Sequence, residues 1–199
     1  MTANNGTFSL PTEESREGQS LEAVFTVWGT RIRVKPAVLA NLLGLWGLAA
    51  WLAGRGHPER PWSVRILVGL FATIAMMVAD FGHAMAHIIS ARYAGAPMDE
   101  ILISEGMPRT LYYDNDVPPR AHRTRALGGP IFSFLLTLAA GLVALLFRPI
   151  GGLPLSLAVF TFLDNLLVFT IGALLPLGFT DGSTILTWWG QRNGGRFSV

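Results

Sequence analysis

Four long apolar runs divide the chain, and the stretches between them carry nearly all of its charge. The runs lie over about 37–54, 65–92, 127–148 and 155–178. Asp80 is the one acid inside the second run and Asp164 the one acid inside the fourth. Each run reaches the roughly 17–25 residues that a helix needs to cross a bilayer. The pattern therefore predicts an all-α multi-pass membrane protein with about four transmembrane helices. Two other stretches have a different rhythm. Val24 to Val34 reads V-F-T-V-W-G-T-R-I-R-V, and Ile101 to Tyr113 reads I-L-I-S-E-G-M-P-R-T-L-Y-Y, with a Gly-Met-Pro turn between apolar halves. Their β-branched and aromatic content predicts strands. Together they are expected to form a small cytoplasmic β-sheet or hairpin against the membrane face. Residues 1–20 are polar and are read as a disordered tail. Residues 21–199 are read as one membrane domain.

Composition sharpens this picture. Charged residues make up 14% of the 199 residues and hydrophobic residues 51%, with a mean hydropathy of +0.43. A soluble domain carries roughly 25% charged residues. Cysteine is absent, which excludes disulfides and thiolate-held zinc or iron–sulfur sites. The net charge of +2 gives no nucleic-acid footprint. The bilayer is the expected surroundings, and no nucleic-acid partner is expected.

Lys and Arg in the loops set the orientation. With four spans, the N-terminus, the 92–125 loop and the C-terminus share a side that holds eleven basic residues; the other side holds four, Arg55, Arg60, Arg65 and Arg148. The first side is therefore expected to be cytoplasmic, with both termini on it, in the cell membrane. Arg120, Arg123 and Arg125 are expected to face anionic headgroups. Gly128-Gly129-Pro130 is expected to let helices approach closely.

The second run contains Asp80-Phe-Gly-His83-Ala-Met-Ala-His87. Two histidines four apart share one helix face, the spacing by which two imidazoles grip one metal ion. Ionisable groups inside a membrane are costly and point to function; the bland alternative is a hydrogen bond from each His to a neighbouring helix. A zinc site needs a third ligand. The second and fourth runs cross in the same direction, so Asp181, in Thr180-Asp181-Gly182 beyond the fourth run, comes to a depth similar to that of the histidines. Two His and one carboxylate with an open position is the usual plan of catalytic zinc. Asp-Gly is also a common turn or helix cap, and the two roles are compatible. Asp80, one turn before Ala84, is placed to support His83 by a hydrogen bond. Asp164 is expected to lie far from the site, about 24 Å below Asp181 on a continuous helix.

Several segments together resemble the site-2 protease family of intramembrane zinc metalloproteases. W-G-T-R-I-R-V-K-P resembles the strand leading into that family's first helix. G-H-A-M-A-H-I-I-S-A-R-Y-A-G-A-P-M-D-E-I-L-I-S resembles its zinc helix and following strand. A-L-G-G-P-I-F-S-F resembles its A-x-A-G-P-x-x-N motif, and L-L-P-L-G-F-T-D-G-S its N-L-L-P-x-x-x-L-D-G motif. The resemblance implies Zn2+ held by His83, His87 and Asp181, and a transmembrane protein as substrate or client.

The chain departs from the family pattern where chemistry is done. The family's H-E-x-x-H has a Glu, the general base, where this chain has Ala84. Such a base contributes roughly 10²–10⁴-fold. Ser133 and Ala173 stand at motif positions that are Asn in the family, and Thr180 replaces the Leu of L-D-G; Ser133 is expected, with Asp80, to give the site polar support. Replacing a base to trap an enzyme would change one position, not four. The expected reading is a metal-binding pseudoprotease. An active endopeptidase whose Glu has been replaced by Ala84 and a metal-free scaffold are the alternatives.

Overall fold

The computed structural model describes residues 21–104, 108–113 and 116–191. The N-terminal tail, Gly106-Met107 of the expected turn, and Arg192 and Arg196 lie outside the described residues. Four strands and five helices run in the order β1 (Phe25–Val27), β2 (Thr30–Val34), α1 (Val38–Gly56), α2 (Trp62–Tyr93), β3 (Glu100–Ile103), β4 (Arg109–Leu111), α3 (Pro119–Phe147), α4 (Gly152–Asp164) and α5 (Asp181–Thr187). A π-helical segment, Asn165–Gly172, continues α4. Helices α1, α2, α3 and α4 with its π segment are long and apolar enough to cross a membrane. The chain is a multi-pass helical membrane protein with a small sheet.

Two of the expected boundaries move. The third helix starts at Pro119, eight residues before the apolar run, because Pro119 takes the first helical position, where its missing N–H costs nothing. The basic lead-in is thus helix. The fourth helix ends at Gly172 rather than continuing to 178. Pro176 cannot donate to a helical ladder, and Gly178 takes a left-handed φ of +89°, so the chain turns back.

The stretch 24–34 is a hairpin rather than one strand. Phe25 pairs with Ile32 and Val27 with Thr30, leaving Trp28 and Gly29 as a two-residue turn with φ of +49° and +90°. That is the sign pattern whose twist suits a tight hairpin. Arg92 Nη1 donates to Trp28 O at 2.8 Å and holds the turn. Strand β2 then pairs parallel with β3, and β3 antiparallel with β4, giving the order β1-β2-β3-β4.

The sheet packs along α2 rather than across the end of the bundle. Ile32, Met98 and Ile101 form one buried cluster with Ala84, Ile88 and Ala91, three positions on one stripe of α2. Farther down the same helix, the Phe25 ring lies 6.4 Å from the Phe81 ring. The sheet therefore runs beside about ten residues of α2, roughly 15 Å of its length.

Glycines set the helix spacing. A Cβ at Gly69 of α2 would stand 2.6 Å from the backbone nitrogen of Ala50 on α1. Gly69→Ala is expected to force these spans apart and cost about 1–3 kcal/mol. A lower thermal midpoint of the purified protein in detergent, against an unchanged midpoint for Gly47→Ala, where a Cβ meets nothing within 4 Å, would check this.

Candidate metal centre

The stripe of α2 next to the sheet-facing one carries His83 and His87, turned toward α3. Their Nε2 atoms stand 3.2 Å apart. Asp181 Oδ2, from the first turn of α5, is 3.3 Å from His83 Nε2 and 3.4 Å from His87 Nε2. Among the described residues this trio is the cluster of His and carboxylates able to hold a metal ion.

The broken fourth helix brings Asp181 there. After Gly172 the chain reverses, and α5 lies back on the end of the π segment so closely that a Cβ on Gly182 would run into the Leu174 carbonyl oxygen. Two hydroxyls fasten the reversal. Thr180 Oγ1 donates to Leu175 O, and Ser183 Oγ accepts from Gly178 N at 2.7 Å. Burial works to raise the Asp181 carboxyl, but the two imidazoles outweigh it and hold the group below the usual carboxylate range.

The far nitrogen of each ring fixes what the near one can do. His87 Nδ1 lies 2.8 Å from Arg125 O. A carbonyl only accepts, so Nδ1 carries the hydrogen and a neutral His87 presents a lone pair at Nε2. His83 Nδ1 lies 2.8 Å from Ser133 Oγ. Acceptance by that hydroxyl leaves His83 Nε2 with a lone pair as well. Two imidazole nitrogens and a carboxylate oxygen thus converge on one point, where a shared proton or a metal cation can join them.

The spacing fits such a cation. Tetrahedral zinc with ligand bonds of about 2.0–2.1 Å places its ligand atoms roughly 3.3–3.4 Å apart. The three distances here are 3.2, 3.3 and 3.4 Å. Space is left beside the trio as well: a Cβ on Gly129 of α3 would collide with the Nε2 atoms of both histidines. The Gly-Gly pair thus brings α3 close, as expected, and also keeps the metal position clear.

Other residues named by the sequence fall in different places. Ser133, fully buried, supports His83 directly. Asp80 makes no hydrogen bond to His83; it lies within electrostatic reach of Asp164 instead. Asp164 is also nearer the site than a continuous helix implies. The Phe169 ring sits 5.8 Å from the His83 ring, and Asp164 is only five residues before it, roughly 7 Å of helix rise. Arg125 does not face headgroups: it is 4% exposed, donates from Nε to Ala96 O at 2.7 Å and stacks on Tyr112 at 4.1 Å. Burial there pushes the Tyr112 hydroxyl up, so it stays protonated. Arg123 is tied to Trp188 O at 2.8 Å, and His122 stacks on the Trp188 ring at 4.1 Å.

Ala84, the first of the three residues between the histidines, faces the sheet. It is 3% exposed and belongs to the apolar cluster under the sheet. Sequence reasoning gave Gly129 and Gly182 only packing and turn roles, and it missed the Arg125 carbonyl. The first two stood in quoted motifs; the third left no signal, because a main-chain acceptor has no residue type.

No family model matches this chain, and no curated protein matches it in sequence. Solved structures do. The chain is similar to the site-2 protease from Methanocaldococcus jannaschii at 18% identity, over 83% of this chain and 69% of that one, with a TM-score of 0.55. The fold is that of a site-2 protease. Within that fold the trio lies between the second and third spans and the helix after the fourth.

Two outcomes follow for the site. Ser133→Ala is expected to weaken zinc binding 10–100-fold by releasing His83, while Asp80→Asn leaves it within a few-fold; competition with a chromogenic chelator measures both. Gly129→Ala is expected to abolish stoichiometric zinc while far-ultraviolet circular dichroism still reports a helical protein.

Proposed function

We propose that this protein is a site-2-protease-like zinc-binding membrane protein, impaired in proteolysis, that holds a transmembrane client. The observation that carries the metal reading is the convergence of three electron-rich ligand atoms at tetrahedral spacing, each imidazole oriented from behind. His83, His87 and Asp181 would hold the ion. When bound, zinc supplies Lewis acidity, which polarises a carbonyl or a water. The chain's own part is to set the His87 tautomer through Arg125 O, to orient the His83 ring through Ser133 and to keep Gly129's side of the site open.

The impairment rests on what lacks a carboxylate. Ala84 occupies the family's general-base position and sits among Ile32, Ile88 and Ile101. Among the described residues no second carboxylate is bonded to the trio. Glu100, fully buried, is committed to Arg33 at 2.9 Å and to the Tyr113 hydroxyl at 2.9 Å. An apolar lining at position 84 suits a chain that lacks a base there, since an unpaired carboxylate in it would be costly. It therefore supports natural loss over a single introduced change.

A client segment has a place to lie. Strands β1 and β4 are the sheet's edges, beside the helix that carries the histidines, and an extended segment can add to such an edge through its backbone. The basic-residue count supports a cytoplasmic position for this end in the cell membrane.

Plasma mass spectrometry of the detergent-purified chain should find about one zinc, lost in His87→Ala and in Asp181→Ala. The absence of zinc in the parent chain would leave a scaffold with the family's shape and overturn the metal reading. The parent should leave a model transmembrane substrate uncut, and Ala84→Glu, where it folds, should raise cleavage by roughly 10²–10⁴-fold. Efficient cutting by the parent would instead establish an active endopeptidase.

A further inference from the structure

At the other end of the bundle, α1, α2 and the start of α4 enclose a groove of about 350 Å³. Its walls are apolar, with Leu52, Leu157 and Phe160 among them, and small residues such as Ala53 hold them apart. Two hydroxyls reach it, but both are already satisfied on their own helices: Thr73 Oγ1 donates to Gly69 O and Ser156 Oγ to Gly152 O, each at 2.9 Å. The walls therefore ask for an apolar occupant.

One end of the groove is different. There the turn between α1 and α2 contributes His57 and Arg60. That turn and the adjoining helix ends carry three arginines, Arg55, Arg60 and Arg65, against one acid, Glu59. Most of these charges are engaged. Glu59 meets His57 Nδ1 at 3.0 Å. Arg65 donates to Arg60 O at 2.8 Å and to Pro58 O at 2.6 Å, and its guanidinium lies 4.9 Å from the Trp62 ring centre. Arg55 lies 5.7 Å from the Trp51 ring centre. The Arg60 guanidinium has no hydrogen bond or ion pair within the described residues. An apolar channel thus ends at a guanidinium whose donors are unused and whose near acid is Glu59, itself held by His57, at the level of the helix ends and their tryptophans, where headgroups lie.

We propose that this groove is a binding site for one anionic phospholipid, with an acyl chain between α1, α2 and α4 and the phosphate on Arg60. Charge complementarity selects the head, since a guanidinium binds phosphate through several directed donors. Size selects the tail: the space, about 350 Å³, is at the low end of small-molecule sites and less than one turn of a helix about 10 Å across would fill, roughly 400 Å³. A soluble anion would leave the apolar walls unused. The site lies at the opposite end of α2 from the histidines, so its occupancy is independent of metal.

The test is native mass spectrometry of the full chain released from nanodiscs containing phosphatidylglycerol and phosphatidylcholine in equal amounts. The parent should retain about one phosphatidylglycerol per chain in preference to phosphatidylcholine. Arg60→Gln should reduce that preference roughly fivefold. Arg55→Gln, whose guanidinium stacks on Trp51 outside the groove, should leave it unchanged. Ala53→Leu, which fills the groove, should reduce retention of both lipids; if it does not fold, Arg60→Gln decides alone. Equal retention of the two lipids by the parent, or an undiminished preference in Arg60→Gln, overturns the proposal. So does a dimer that Ala53→Leu dissociates, because the groove would then belong to a second copy.

Discussion

Two imidazole nitrogens and a carboxylate oxygen are held within 3.4 Å of one another by a fold with no covalent cross-links. The rest of the architecture follows from that constraint. His87 Nε2 can present its lone pair only because Arg125 O takes the hydrogen at Nδ1, and that carbonyl is in reach only because Gly128 and Gly129 let α3 lie against α2. Asp181 completes the set only because the fourth helix stops short of its apolar run. Each of these costs backbone freedom or a helical hydrogen bond.

Helix α2 is the member that everything else uses. Positions 83 and 87 face α3 and the metal position, while 84, 88 and 91 face the sheet. The two stripes are adjacent on one cylinder, so the sheet and the metal position lie side by side at the same depth. The alanine at position 84 lets an apolar helix stripe seal against Ile32 and Ile101.

Polarity inside the bundle is divided by depth. Near the metal position each polar group has a stated partner: Ser133 with His83, Thr137 Oγ1 with Ser133 O at 2.8 Å, Thr180 with Leu175 O. Asp80 and Asp164 form a separate acidic level below it. The groove at the far end has hydroxyls turned back to their own helices and a single cation at its mouth. A membrane protein meets its backbone needs within its helices, so side chains that keep polar atoms available are the ones that mark sites.

The apolar runs determined the number of spans, because burial in hydrocarbon demands uninterrupted apolar length whatever the neighbours are. The i, i+4 spacing of His83 and His87 placed two ligands on one face for an equally local reason, the pitch of the helix. The depth of Asp181 was legible only in part: its level came from topology, but the reversal that delivers it depends on Pro176, Gly178 and Gly182 acting on a particular helix end. The hairpin turn at Trp28-Gly29, the burial of Arg125 and the choice of Ser133 over Asp80, both expected as polar support, as the partner of His83 were decided by tertiary structure alone. Each turns on which side chain or carbonyl of another element stands within about 3 Å, and periodicity along one chain segment carries no information about that distance.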